Sequence, residues 1–326
     1  MKLVTFGETM AQYNAKYMGP YNPTGKYLLD VAGAESNVAV NLIKLGVAGI
    51  ETMWVSRLGD DEAGRIVLSR LDGITRVDAC ICPGERTGVC YLNHYGDGNN
   101  IKTYKRAGSA ASKLTFDDVA PHLGSASVLH VTGITPALSR SCKDAILCSL
   151  KRCQKLGVHV SFDANYREQL WSPSEARSTF DEMIEHVTLF KVGRDEAEVL
   201  WGLGLTAADY AKHFHGLEDQ IVIVTDGALG ATLFDGNITM SVSGLGLKAV
   251  DPVGAGDAFV AGFLGGLSER SNFIDLFQLE TNERKHLLWH ALRVANVCGA
   301  LVTTRRGDTQ AMPDMDEVTE FMATDK

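Results

Sequence analysis

Between residues 128 and 201 the chain runs through strand and helix by turns: VLHVTG, a helical stretch at 140–156, VHVSFDAN, a second helix at 174–186, TLFKVG, and a third at 194–201. Short apolar runs alternating with helix-length segments predict parallel strands joined by right-handed crossovers, because a parallel pair needs a long connection. Such a sheet carries helices on both faces and gathers ligands at the carboxyl ends of its strands. Residues 3–7, 50–58 and 74–82 read as further strands, and 61–71 as an amphipathic helix. At 326 residues, 45% of them hydrophobic, the chain suffices for one large α/β domain with an accessory element; no second domain is required.

The accessory element shows where the alternation breaks. Residues 9–31 hold Gly19-Pro20, Pro23 and Gly25 among Tyr13, Tyr17, Tyr21 and Tyr27, a composition for irregular chain or edge strand. Two β runs, 87–95 and 101–106, flank GDGNN as a hairpin. Tyr104 and Arg106 are two apart in a strand and so share a face, where Tyr91 is expected to join them. A solvated edge strand with aromatic cover accounts for the same residues.

Charge and cysteine content narrow the function classes. A net charge of -9 argues against a general nucleic-acid surface, so any anion must be held by local, specific groups. Seven cysteines, at 80, 82, 90, 142, 148, 153 and 298, form no C-x-x-C pair or zinc spacing and read as reduced, mostly buried thiols. The opening LVTFGE lacks a signal-peptide core, and no run of 18 apolar residues occurs, so a cytoplasmic protein without a membrane partner is the expectation.

The chemistry concentrates in AVDPVGAGDAFVAGFLGGL, residues 249–267. Gly254, Ala255 and Gly256 allow consecutive N–H groups to converge at the positive end of a helix, where an anion binds. Asp257 stands beside that cluster, placed to take a proton from an attacking hydroxyl while the amides hold a phosphoryl group. A capped helix after a glycine turn explains GAGD alone equally well. A second tight helix entry, Gly33-Ala34, precedes Asn37, which fits either a cap or a hydrogen-bonding site residue. Asp163, Asn165 and Arg167 follow the strand VHVSFD and can converge on a polar ligand, or Asp163 and Arg167 can pair in a loop. Thr225, Gly227 and Gly230 lie in a turn that fits a plain hairpin or a nucleotide-binding edge.

DPVGAGDAFVAG and the Gly33–Asn37–Gly46 segment, some 200 residues apart, together resemble the two signatures of the ribokinase-like (PfkB) carbohydrate kinases. The resemblance extends from GETM to RRGD. It implies a three-layer α/β fold, a mostly parallel twisted sheet with helices on both faces, and a small β-sheet lid built from about 9–31 and 85–107. It also implies an ATP-dependent kinase with Mg²⁺ on the nucleotide, and a homodimer or higher homo-oligomer through the lid. The segment FDANYREQLW resembles the family's D-x-N-x-R segment, and Glu35, the stretch YKRAGSAAS and the two arginines Arg106 and Arg167 are similar to the branch acting on 2-keto-3-deoxygluconate, with fructokinases and ribokinases as alternatives. On that resemblance the sugar or sugar acid meets Gly33, Ala34, Asn37, Tyr91, Tyr104, Arg106 and Arg167. Asp257 is then the base, Gly254, Ala255 and Gly256 form the anion hole, and Thr225, Gly227, Gly230, Gly254, Gly256 and Asn296 meet ATP. Relatives also use a monovalent cation such as K⁺, for which no residue here is assigned.

This chain departs from the family pattern at three positions. Gly193 replaces the Asn of an N-x-x-E segment tied to magnesium, leaving Glu196 as an indirect contributor. Asp226 brings a carboxylate near the nucleotide turn and is expected to point away. Ala34 replaces a glycine.

Rival nucleotide motifs fail on context. The G-x-G-x-x-A strings at 202–207 and 244–249 do not open a helix after a first strand, as a dinucleotide fingerprint must. Residues 19–26 have one residue too many for a Walker loop, and Tyr27 stands where Ser or Thr should follow. A sugar sensor of the same fold is the non-enzymatic reading, disfavoured by the intact GAGD.

Overall fold

A computed structural model describes residues 1–95, 99–270, 273–307 and 309–324; the hairpin tip at 96–98 lies outside the described residues. The strands, in chain order, are β1 (Lys2–Phe6), β2 (Met10–Met18), β3 (Tyr27–Ala32), β4 (Glu51–Gly59), β5 (Arg76–Cys82), β6 (Val89–Tyr95), β7 (Asn99–Lys105), β8 (Val128–Thr132), β9 (His159–Asp163), β10 (Leu189–Gly193), β11 (Ile221–Thr225), β12 (Gly230–Phe234) and β13 (Thr239–Ser243). They form a nine-stranded sheet, β13-β12-β11-β10-β9-β8-β1-β4-β5, and a four-stranded sheet, β3-β2-β6-β7. In the large sheet β5 to β11 run parallel, and β12 and β13 extend it antiparallel.

Neighbouring residues of each central strand feed opposite cores. Leu3, Leu189, Ile221 and Ile223 pack with the helices Ala34–Lys44, Ala255–Arg270 and Thr281–Thr303. Val4, Phe190, Val222 and Val224 pack on the other face with Ile146, Phe180 and Tyr210. Period-two side chains with apolar residues on both faces make the strands fully buried, as expected of a parallel sheet between helix layers. The Ala255–Arg270 helix is buried along most of its length because its glycines admit neighbouring backbones: a Cβ at Gly266 would lie 2.9 Å from Ala291 Cα.

The segment 9–31 is more regular than its composition suggests, forming two full strands whose tyrosines cluster on one face. Tyr13 stacks on Tyr91 at 5.2 Å, and Tyr21 and Tyr27 meet the same ring edge-on. This aromatic packing compensates for the turn-forming residues between the strands. Four of the cysteines (90, 142, 153 and 298) are buried and none of the seven forms a disulfide, and no described helix is long and apolar enough to cross a membrane.

Candidate active site

Gly254 adopts φ +84, a left-handed angle that turns the chain directly into the Ala255–Arg270 helix. Asp257 therefore falls in the first helical turn, where the helix dipole favours negative charge. It is 9% exposed and is held from two distant elements. Asn37 Nδ2, on the Ala34–Lys44 helix, donates to Asp257 Oδ2 at 2.8 Å, and Asn165 Nδ2 donates to Oδ1 at 3.4 Å. Asn165 has φ +40, uncommon outside glycine, so the chain after β9 is bent to bring that amide inward.

The turn separates two cavities. One, about 370 Å³, is polar and contains Gly33, Ala34, Asn37, Tyr104, Arg106, Arg167, Glu196 and Asp257, together with Gly254, Ala255 and Gly256. The other, about 360 Å³, is bounded by Thr225, Gly227, Gly230, Gly244, Phe259 and Asn296. Pro252, Ala255 and Gly256 border both. Gly254, expected on the nucleotide side as well, lines only the polar cavity. Asn296 donates to the Ser243 carbonyl at 2.9 Å, tying its helix to the end of β13.

The small sheet covers the polar cavity with one face only. Tyr104 pairs with Cys90 and Tyr91 with Thr103, so Tyr91 projects to the opposite face from Tyr104. The expectation that Tyr91 joins Tyr104 and Arg106 is corrected by this register: Tyr91 belongs to the outer tyrosine cluster, and Lys102 is the further β7 residue on the cavity side. Asn100, near the tip, donates to Asp251 Oδ1 at 3.2 Å, so the sheet touches the segment leading into GAGD.

Ion pairs line the polar cavity beside charged groups held by backbone. Glu8, at the end of β1, accepts from Arg106 Nε at 2.6 Å and from the Ser109 hydroxyl, and is 2% exposed. Asp163 accepts from Lys191 Nζ at 3.0 and 3.1 Å; Arg167 instead donates to the Tyr166 carbonyl at 2.9 Å, so the alternative Asp163–Arg167 pair does not form. Glu196 accepts from the amides of Tyr166 and Gly193, both at 2.8 Å, clamping the chain after β9 to the helix that follows β10. Burial opposes the charge on Lys191, yet Asp163, Glu196 and Asp257 outweigh it and raise its pKa. Sequence reasoning passed over Lys191, although a lysine inside the apolar strand LFKVG is itself a signal of a buried ion pair.

Asp226 follows its expectation, and Glu35 does not line the site. Asp226 turns away from the nucleotide-side cavity and accepts from Arg194 Nε at 2.8 Å. Glu35 is fully buried behind the cavity, where Thr132 and Thr135 donate to Oε1 at 2.7 and 2.6 Å and burial raises its pKa. It is absent from the cavity lining and so cannot itself read a substrate.

A carboxylate at a glycine-started helix, between a polar cavity and a backbone-lined one, is the arrangement of a phosphotransferase acting on a hydroxyl. Comparison with known proteins agrees: the pattern of the pfkB family carbohydrate kinases matches residues 1–315, and the chain belongs to that family. It is 30% identical to the 2-dehydro-3-deoxygluconokinase of Bacillus subtilis (strain 168) over 100% of this chain and 97% of the relative. It is 29% identical to probable fructokinase-5 of Arabidopsis thaliana, over 98% and 97%. Its structure is similar to that of fructokinase from Vibrio cholerae O395 in a fructose-, ADP- and calcium-bound form, with a TM-score of 0.80, 27% identity and 98% of each chain covered.

Proposed function

We propose that this carbohydrate kinase transfers the γ-phosphoryl group of ATP to the terminal hydroxyl of 2-keto-3-deoxygluconate. The observation that carries the chemistry is Asp257, held by Asn37 and Asn165 where the two cavities meet. Sugar occupies the polar cavity and nucleotide the glycine-lined one, so the phosphates reach the hydroxyl past Ala255 and Gly256. The sugar oxygen forms its bond to γ-phosphorus as the bond to the ADP oxygen breaks, and ADP leaves with that electron pair. Asp257 orients the hydroxyl and accepts its proton late, because phosphoryl transfer is loose and depends mainly on positioning. Asn37 and Asn165 fix the carboxylate in the orientation that faces the acceptor.

Magnesium fits this site as an ion carried by the nucleotide. Among the described residues no cluster of three acidic, His or Cys side chains could cage a metal, and Glu196 already accepts two amides. Glu196 would hold the ion only through water, as Mg²⁺ commonly allows. When bound, the ion neutralises charge on the phosphates. The four-stranded sheet acts as a lid that excludes water. Its outer face, with the tyrosine cluster and exposed Ile101, suits self-association, checked by sedimentation of Tyr21→Glu.

Arg106 and Arg167 beside the acceptor cavity, and the gluconokinase relative, support a sugar acid. The Glu8–Arg106 pair favours a second reading: a carboxylate already occupies one arginine, which suits a neutral ketohexose such as fructose. The test is ADP release with Mg·ATP and 2-keto-3-deoxygluconate, fructose, ribose or 5-keto-2-deoxygluconate. Turnover confined to the keto-deoxy acid supports the first reading, preference for fructose supports the second, and silence with every sugar moves the reading to an untested acceptor or a sensor.

A further inference from the structure

Lys191 is a charged group of the polar cavity that stands against the anion-hole backbone itself. A Cβ added to Gly256 would come within 3.3 Å of Lys191 Nζ, and within 3.9 Å of Asp163 Oδ2. The lysine rises from β10, inside a strand whose other residues are apolar, and is 7% exposed. Burying an ammonium at that depth costs several kcal/mol, a cost that a single structural pair seldom repays over apolar replacements. Asp163, on the neighbouring parallel strand β9, fixes the ammonium with both oxygens. The donor is thus aimed and immobile before any ligand arrives.

We infer that Lys191 is a further catalytic residue, a cation that contacts the γ-phosphoryl group at the Gly256–Asp257 turn as it passes from ADP to the sugar oxygen. The inference rests on the kinase reading above. Asp163 then acts as a positioning residue that holds the ammonium, and Gly256 is required because any side chain would separate ammonium from phosphate. Lysine keeps three donors and a compact charge, so one bond to each Asp163 oxygen leaves a third for the phosphoryl oxygen. No proton moves through Lys191: it stays an ammonium, and the hydroxyl proton goes to Asp257.

A purely structural lysine, present only to neutralise Asp163, makes a different prediction. Lys191→Met and the double variant Lys191→Met/Asp163→Asn separate the two, since the second removes the carboxylate that the first would strand. A phosphoryl-contacting lysine predicts about a 10²- to 10³-fold fall in kcat for both variants, the range seen on removing one oxyanion donor. Sugar KM stays within threefold, about 0.65 kcal/mol by the conversion of 1.4 kcal/mol per tenfold. Recovery of wild-type kcat in the double variant overturns the inference. Equilibrium binding by calorimetry, without sugar, supplies the readout that survives a wrong acceptor. Lys191→Met should weaken Mg·ATP roughly tenfold, and Mg·ADP less than twofold, since only ATP carries the γ-phosphate charge that a buried cation meets. Equal weakening of both nucleotides overturns the inference, whereas failure of wild type to phosphorylate any sugar counts against the acceptor assignment alone. Lys191→Arg and circular dichroism of each variant guard against misfolding: a folded double variant that still discriminates ATP from ADP like wild type also rejects the proposal.

Discussion

The two cavities that meet at Gly256 solve binding in opposite ways. The acceptor side is built from side chains, paired across the fold: Glu8 with Arg106, Asp163 with Lys191, Asn37 and Asn165 with Asp257. The nucleotide side is built mostly from backbone, glycine and a few apolar surfaces such as Phe259 and Leu247. Paired charges are costly when one partner is lost, and selective because their geometry is fixed. A glycine-lined channel is indifferent to charge but intolerant of volume. Substitutions on the two sides should therefore fail differently.

The largest expected effect is on the acceptor side. Asp257→Asn keeps the shape and the contacts to Asn37 but removes the base, and should lower kcat by about 10²- to 10⁴-fold, the usual range for one general base. Nucleotide affinity, measured by calorimetry, should change little; a matching loss there would mean that Asp257 organises the anion hole and does not serve the hydroxyl. On the other side, a Cβ at Gly244 would lie 1.8 Å from the Ala228 carbonyl oxygen, so Gly244→Ala must push apart the turn after β11 and the end of β13. Overpacking of this kind costs about 1–3 kcal/mol. ATP KM should rise roughly tenfold, which is 1.4 kcal/mol, while sugar KM holds. If sugar KM rises equally, the two cavities are one mechanical unit and the contrast between them fails.

The same contrast explains what was legible in the sequence. Local features survive in one dimension: the alternation that gives the parallel sheet, the Gly254–Asp257 turn, and Gly227 and Gly230 on the nucleotide side all follow from residues within a few positions. Pairs across 98 or 28 residues, such as Arg106 with Glu8 or Lys191 with Asp163, follow from strand order in the folded sheet. Glu8 is visible at the end of the first strand, where ligands collect, but nothing near it names Arg106. Tyr91 was misplaced for a related reason. Tyr104 and Arg106 are two apart at the end of β7 and both line the polar cavity, whereas the face of Tyr91 depends on the β6–β7 register, which a one-residue slip reverses. Glu35 marked a substrate class by resemblance, while its geometry is that of a buried carboxyl bound to threonines.

A smaller effect sharpens what the acceptor-side pairs are for. Glu8→Gln retains a hydrogen-bond acceptor for Arg106 but removes the compensating charge from a guanidinium that is largely buried. If Arg106 reads a carboxylate, the released charge should raise the ratio of kcat/KM for 2-keto-3-deoxygluconate over fructose by about tenfold, since a charged hydrogen bond contributes about 1.5–3 kcal/mol. An unchanged ratio would leave Arg167 as the carboxylate reader. A ratio that falls would place Glu8 itself among the groups that hold the sugar's hydroxyls.

The smallest effect concerns the buried acid behind the cavity. Burial raises the Glu35 pKa above its ordinary 4.5, against the pull of the Thr135 and Thr132 hydroxyls. The folded state therefore holds that proton more tightly than the unfolded chain does. Stability from this group is complete below pH 4.5 and is lost as the pH climbs through the raised folded value. Glu35→Gln stays neutral throughout, keeps an oxygen for Thr132 and Thr135, and should remove that slope. Its Tm, a few degrees above wild type at pH 8 by the usual scale of a buried unpaired charge, should converge on wild type near pH 4. Acceptor selectivity should not move, because Glu35 lies outside the polar cavity. A shift in sugar preference with Glu35→Gln would show that the acid acts through Thr135 and Ile134 on the cavity wall, extending the paired-charge design one layer deeper than the site itself.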